Sequence, residues 1–97
     1  MAYGVVLRFG EVTEDQYWSV NRDMGVDEDG LTGWPEGLIS HTAAFAEGGF
    51  VISEVWASRD DQERFMAERL AGALAANEVG SPREVLELEV INYQHPG

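Results

Sequence analysis

Residues Tyr3 to Phe9 are apolar at nearly every position, with Val5, Leu7 and Phe9 on one side of an extended chain and Val6 and Arg8 on the other. That pattern predicts a strand covered on both faces. Thr13-Glu14-Asp15-Gln16 then has the spacing of a capping box, in which the Thr13 hydroxyl and the Gln16 side chain satisfy each other's backbone donors. A helix follows with Tyr17, Val20, Asn21 and Met24 along one stripe and Trp18 beside it, and Gly25 supplies a left-handed end. From Val26 to Gly37 the chain turns to Asp, Glu, Gly and Pro, the composition of a long loop.

Leu38–Phe45 and Phe50–Ala57 read as two strands joined by Ala46-Glu47-Gly48-Gly49, a hairpin signal because glycine accepts positive φ. Ser58 caps a second helix whose first turn holds Asp60, Asp61 and Glu63, where carboxylates suit the helix dipole. Its apolar face, Met66, Leu70, Ala73 and Leu74 with Phe65 flanking, runs to about Ala76, and Asn77, Gly80 and Pro82 end it. A last strand is expected over Val85–Tyr93, with Leu86, Leu88 and Val90 alternating against Glu87 and Glu89, before a tail at His95. The order is β-α-β-β-α-β: an α+β, ferredoxin-like domain spanning residues 1–97, its four-stranded antiparallel sheet covered by two helices on one face.

Two helices leave the other sheet face bare. On either choice of face the hairpin presents an apolar set, Val51 and Val55 with Leu38, or Phe50, Ile52 and Trp56 with Ile39. Exposing such a patch is costly, so a homodimer with sheets packed face to face is expected. The chain's 97 residues suit one modest core, which points the same way.

Charge and composition remove several functions. Eighteen acidic residues against six basic ones give −12, which repels nucleic-acid backbones and anionic membrane surfaces. Cysteine is absent, so no thiol chemistry or disulfide framework is available. With no signal-like start and no membrane-length apolar run, a cytoplasmic protein is expected. The Asp27-Glu28-Asp29-Gly30 cluster fails as an EF-hand, because Thr32 and Leu38 fall where glycine and glutamate are required. It reads as a solvated acidic loop in which Trp34 either caps a pocket or pins the loop to the body.

The hairpin, together with Glu54-Val55-Trp56-Ala57-Ser58 running into an acidic helix start, resembles the dimeric α+β barrel superfamily, in particular its antibiotic-biosynthesis-monooxygenase-like group. The resemblance spans nearly the whole chain, and its most distinctive piece is Glu54, Trp56 and Ser58. It implies a homodimeric α+β barrel whose enzymatic members oxidise small aromatic or polyketide-like molecules without metal or flavin, in a pocket between sheet and helices. One position departs: a histidine often stands about nine residues beyond the tryptophan in that group, and here the place is Phe65.

Strand parity adds a candidate site. With an even hairpin loop, His41, Phe45, Ile52, Glu54 and Trp56 share one face. A four-residue loop sets His41 opposite Glu54; a two-residue Gly48-Gly49 loop sets it opposite Trp56. In the functional reading His41 and Glu54 are catalytic, the carboxylate orienting an imidazole that moves a proton, while Trp56, Tyr17, Phe65 and Trp34 contact a flat apolar substrate. In the structural reading the histidine and glutamate satisfy one another and the tryptophan is core, within a non-catalytic dimerisation or small-molecule-sensing module. A regulatory domain binding its ligand at a subunit interface is a third reading. A multi-histidine metal centre is excluded within one chain because the only other histidine, His95, lies in the tail, and a haem held by His41 alone has no further support. Ser53 faces away from His41, no phosphate-cradling glycine loop occurs, and Arg8 is expected to pair with Glu87 or Glu89 across neighbouring strands.

Overall fold

In a computed structural model, which describes residues 2–27 and 32–94, the chain forms β1 (Tyr3–Phe9), α1 (Glu14–Met24), β2 (Leu38–Ala46), β3 (Gly49–Trp56), α2 (Arg59–Phe65), a π-helical segment (Met66–Leu70), α3 (Ala71–Ala76) and β4 (Glu84–Glu89). The sheet has the order β2-β3-β1-β4, antiparallel throughout, which is the ferredoxin-like arrangement.

Local chemistry accounts for the element ends. Thr13 and Gln16 form the reciprocal capping box, and Gly25 closes α1 at φ 87°. Ser58 accepts from the Asp61 amide at the start of α2. The hairpin turn is Glu47-Gly48, with Gly48 at φ 88° and Ala46 paired to Gly49. His41 consequently lies opposite Glu54.

Val5, Leu7, Phe9, Phe50, Ile52 and Trp56 point under the helices and meet Val20, Phe65, Leu70, Ala73 and Leu74 in one core. Asn77 fixes α1 on that core: its amide donates to Asp23 and to the Ala73 carbonyl, both at 2.8 Å, while its own carbonyl accepts from Gln16.

Four sequence expectations change. The second helix is interrupted by a π turn. Phe65 and Leu70 are five residues apart, about 140° apart around an α-helix, and the wider i→i+5 turn returns both to the core. Phe65 is thus fully in the core and Met66 only half-buried. At the start of β2 the register shifts between Leu38 and Ser40, so Leu38 pairs with Trp56 on the helix-covered face rather than joining Val51 and Val55. Strand β4 stops at Glu89 instead of Tyr93, because its partner β1 begins at Tyr3. Finally, Arg8 faces Glu84 in the register and approaches that carboxylate at 3.8 Å; Glu87 instead receives the Tyr3 hydroxyl and Arg59.

The opposite sheet face carries Val6, Val51 and Val55 beside Leu86 and Leu88, and among the described residues no helix covers it. Leu86 and Leu88 are 53% and 40% exposed. Among the described residues no helix is long and apolar enough to cross a membrane. Residues 28–31, which include Glu28, Asp29 and Gly30 of the acidic loop cluster, lie outside the described residues, as does His95.

Candidate functional site

The cross-strand pair of β2 and β3 places His41 and Glu54 side by side, and the Nδ1 of His41 lies 2.7 Å from Glu54 Oε2. The second carboxylate oxygen, Oε1, accepts the indole N–H of Trp56 at 3.1 Å. On the outer side of the imidazole, Nε2 meets the Tyr17 hydroxyl of α1 at 2.7 Å. Four side chains from three elements thus form one hydrogen-bonded line, Trp56 to Glu54 to His41 to Tyr17. Because a carboxylate only accepts, Nδ1 carries the hydrogen toward Glu54, which leaves Nε2 of a neutral ring free to accept from Tyr17.

The surroundings are apolar. Glu54 keeps 5% and His41 13% of side-chain exposure. Among the described residues no buried side-chain donor or acceptor lacks a partner. A cavity of about 30 Å³ lies between sheet and helices, walled by Phe9, Val20, Phe50 and Leu74, with Tyr17, Asn21, His41 and Glu54 as its polar edge. That volume holds one or two waters.

Trp34 reaches this site from a turn, Pro35–Leu38, closed by the Leu38 amide on the Pro35 carbonyl with Gly37 at φ 91°. The Gly37 carbonyl is anchored by the Ala57 amide at 2.7 Å. The Trp34 ring therefore sits 4.7 Å from the His41 ring, centroid to centroid, on the cavity wall. Tyr17 stacks on the same imidazole at 6.1 Å and an 18° interplanar angle.

The structure brings together His41, Glu54, Tyr17, Trp34 and Phe65 around the cavity, but it moves one expected wall. Trp56 has no exposure and packs behind the carboxylate, 5.4 Å from the Phe65 ring. The aromatic wall beside His41 is Trp34 instead. Phe65, standing where the resembling group often has histidine, gives the cavity floor an apolar ring. Asn21 was legible only as part of the α1 stripe; it is buried and lines the cavity beside Tyr17. An amide four residues from Tyr17 on an otherwise apolar face was the available signal.

Three comparisons bear on these features. A Chloroflexus aurantiacus protein provisionally named antibiotic biosynthesis monooxygenase superposes with a TM-score of 0.65 at 16% identity, covering 100% of both chains. Rv0793 of Mycobacterium tuberculosis gives 0.64 at 16% identity over 98% of this chain and 100% of that one. SnoaB of Streptomyces nogalater, a cofactor-independent oxygenase, gives 0.58 at 13% identity over 95% and 93%. The fold is that of the antibiotic-biosynthesis-monooxygenase-like proteins. No family model and no curated protein matches the chain by sequence. Among the described residues, no group of three or more His, Asp or Glu side chains is placed to hold a metal ion.

Burial is the main cause raising the Tyr17 hydroxyl above its ordinary pKa; the Asn21 side chain lowers it in part, and the charge of Glu54 raises it again. Tyr17 therefore remains a phenol at neutral pH. Its folded state holds the proton more tightly than the unfolded chain, so this stabilisation is complete below about pH 10 and is lost as pH rises through the folded value. Urea titrations from pH 8 upward should show a fall beginning near that point, shallower in Tyr17→Phe; an equally steep fall in the variant would contradict the assignment. Replacing Glu54 by Leu strands the Trp56 N–H and the His41 N–H, at about 1–3 kcal/mol for each orphan. Glu54→Gln keeps an acceptor and should cost less, as denaturation midpoints will show.

Proposed function

We propose that the protein binds a small, flat, hydrophobic or aromatic molecule in the cavity beside His41 and moves a proton from it, in the manner of a cofactor-independent oxygenase. The observation carrying this reading is the Tyr17–His41–Glu54 hydrogen-bonded line ending at an otherwise apolar cavity. It is supported by a shared fold with a protein that is itself a cofactor-independent oxygenase. In this reading the substrate's acidic hydrogen passes to the Tyr17 oxygen as the phenolic hydrogen passes to His41 Nε2, with no free tyrosinate formed. Glu54 holds the resulting imidazolium, and a short charge-assisted bond is the favourable partner for it.

For an activated ring methylene, dioxygen then oxidises the carbanion: one oxygen atom stays as a carbonyl and the other leaves as water with the two methylene hydrogens. His41 and Glu54 supply the proton chemistry. Tyr17, Trp34 and Phe65 contact the substrate, whereas Trp56 holds the carboxylate. A ligand of that class needs several hundred Å³, so occupancy requires Trp34 or Tyr17 to swing outward.

A non-catalytic sensing or dimerisation module is favoured by one specific observation, the fully satisfied network around a cavity of only about 30 Å³. Oxygen uptake with anthrone and quinol substrates separates the two. The catalytic reading expects His41→Ala to lower turnover by about 10²–10⁴-fold, the usual worth of a general base; no uptake by the wild type, or equal uptake by the variant, leaves the module.

The protein in this reading is a homodimer joined through the bare sheet face that carries Leu86 and Leu88. Light scattering should return twice the 10.7 kDa chain mass. Leu88→Arg, which puts a charge into that face, should shift the particle toward the monomer; an unchanged mass would move the interface elsewhere.

A further inference from the structure

Arg69 lies on the π-helical segment, 36 residues from Gly33, yet it holds the loop that carries Trp34. Its Nη2 donates to the Met24 carbonyl at the end of α1 and, at 2.7 Å, to the Gly33 carbonyl immediately before Trp34. The guanidinium carbon also stands 5.6 Å from the Phe65 ring centroid. These contacts converge at the neck of the loop, where the α1 end and the segment entering Trp34 run against each other.

The neck leaves no slack. A Cβ at Gly33, which has φ 90°, would fall onto the carbonyl of Gly25, so the two backbones are in direct contact there. The Asp27 amide donates to the Thr32 carbonyl at 3.1 Å and bridges the same neck. Arg69 binds a carbonyl on each side of this crossing. The Met24 carbonyl lies at a helix C-terminus, where a cation suits the electron-rich oxygens, and the two hydrogens of one guanidinium nitrogen serve it and the Gly33 carbonyl together.

We propose that Arg69 is a positioning residue for the site: by tying Gly33 to the end of α1, it sets the height of the Trp34 ring over His41. The proposal deepens the reading of the cavity as a binding site and rests on it for its functional meaning. Arg69 is not itself a lining residue and takes no part in the Tyr17–His41–Glu54 line; it meets the lining at Met24, Phe65 and the Gly33–Trp34 segment, and of these Trp34 is the one whose ring stands against the imidazole. The π turn contributes because it keeps Phe65 in the core directly below the guanidinium.

The test is nuclear magnetic resonance on the full-length protein, comparing wild type with Arg69→Met and Arg69→Lys. In Arg69→Met the Asp27 amide should exchange about tenfold faster or more, the effect of losing a charged donor from the neck. The His41 ring protons should shift as the Trp34 ring current is withdrawn, while the Trp56 indole N–H bound to Glu54 stays in place. Arg69→Lys, which keeps a cation but not the planar guanidinium over Phe65, should fall between the two. Gly33→Ala opens the same neck with the Arg69 side chain left in place, and should move the same His41 signals.

Unchanged Asp27 exchange and unchanged His41 signals in Arg69→Met overturn the proposal. A Trp56 N–H that moves with them overturns it too, since Arg69 would then support the whole fold rather than one wall. None of these readouts needs a ligand. They decide the role of Arg69 even where wild type fails to bind anthrone, a result that would count only against the cavity as a binding site. Where anthrone does bind, its affinity should weaken about tenfold in Arg69→Met, the same lost interaction read at the ligand; an unchanged affinity overturns the functional part.

Discussion

A carboxylate buried to 5% exposure is the constraint around which the rest of this site is arranged. An ionised group in an apolar interior is costly unless each oxygen has a donor. Glu54 meets that requirement with two donors of different kinds, the Trp56 indole two residues along its own strand and the His41 imidazole across the hairpin. The first follows from local strand geometry, since residues two apart share a face. The second needs the Glu47-Gly48 turn to set the register, and a slip of one residue would turn His41 to the opposite face.

Each partner carries the constraint outward. His41, fixed by Glu54 on one side, turns its other nitrogen to Tyr17, and Tyr17 is held by α1, whose angle on the core is set by the Asn77 bracket. Trp34 closes the remaining side of the imidazole and is delivered by a loop tied at one end to Arg69 and at the other to the Ala57 amide. An apolar cavity edged by a phenol, an imidazole and a carboxylate is the outcome. The same construction also stabilises an unoccupied protein, because all its members are mutually satisfied. Structure and chemistry are joined here: the groups able to move a proton are those that keep the carboxylate solvated by protein.

Much of this was legible before the structure. Strand, helix and hairpin chemistry fixed the element order, because the capping box at Thr13, the cap at Ser58 and the glycines of the turn act over three or four residues. Side-chain parity then placed His41, Glu54 and Trp56 on one face, with only the loop length open. What failed to show were features whose cause lies at long range. The π turn exists because Phe65 and Leu70 both compete for the same core, and periodicity alone favours a plain helix with Met66 inward. The shift at Ile39 depends on how β2 enters the sheet, and it exchanges the fate of Leu38.

The sequence by itself determined the β-α-β-β-α-β order, the bare apolar sheet face and the company of His41 with Glu54, since hydrophobic period and turn chemistry are local properties of the chain. Tertiary structure alone decided that Trp34 rather than Trp56 walls the imidazole, that Tyr17 completes the hydrogen-bonded line, and that Arg69 holds the loop from 36 residues away. The physical reason is that these contacts join different elements across the core. Their partners are chosen by where packing places each element, and no spacing along the chain encodes that distance.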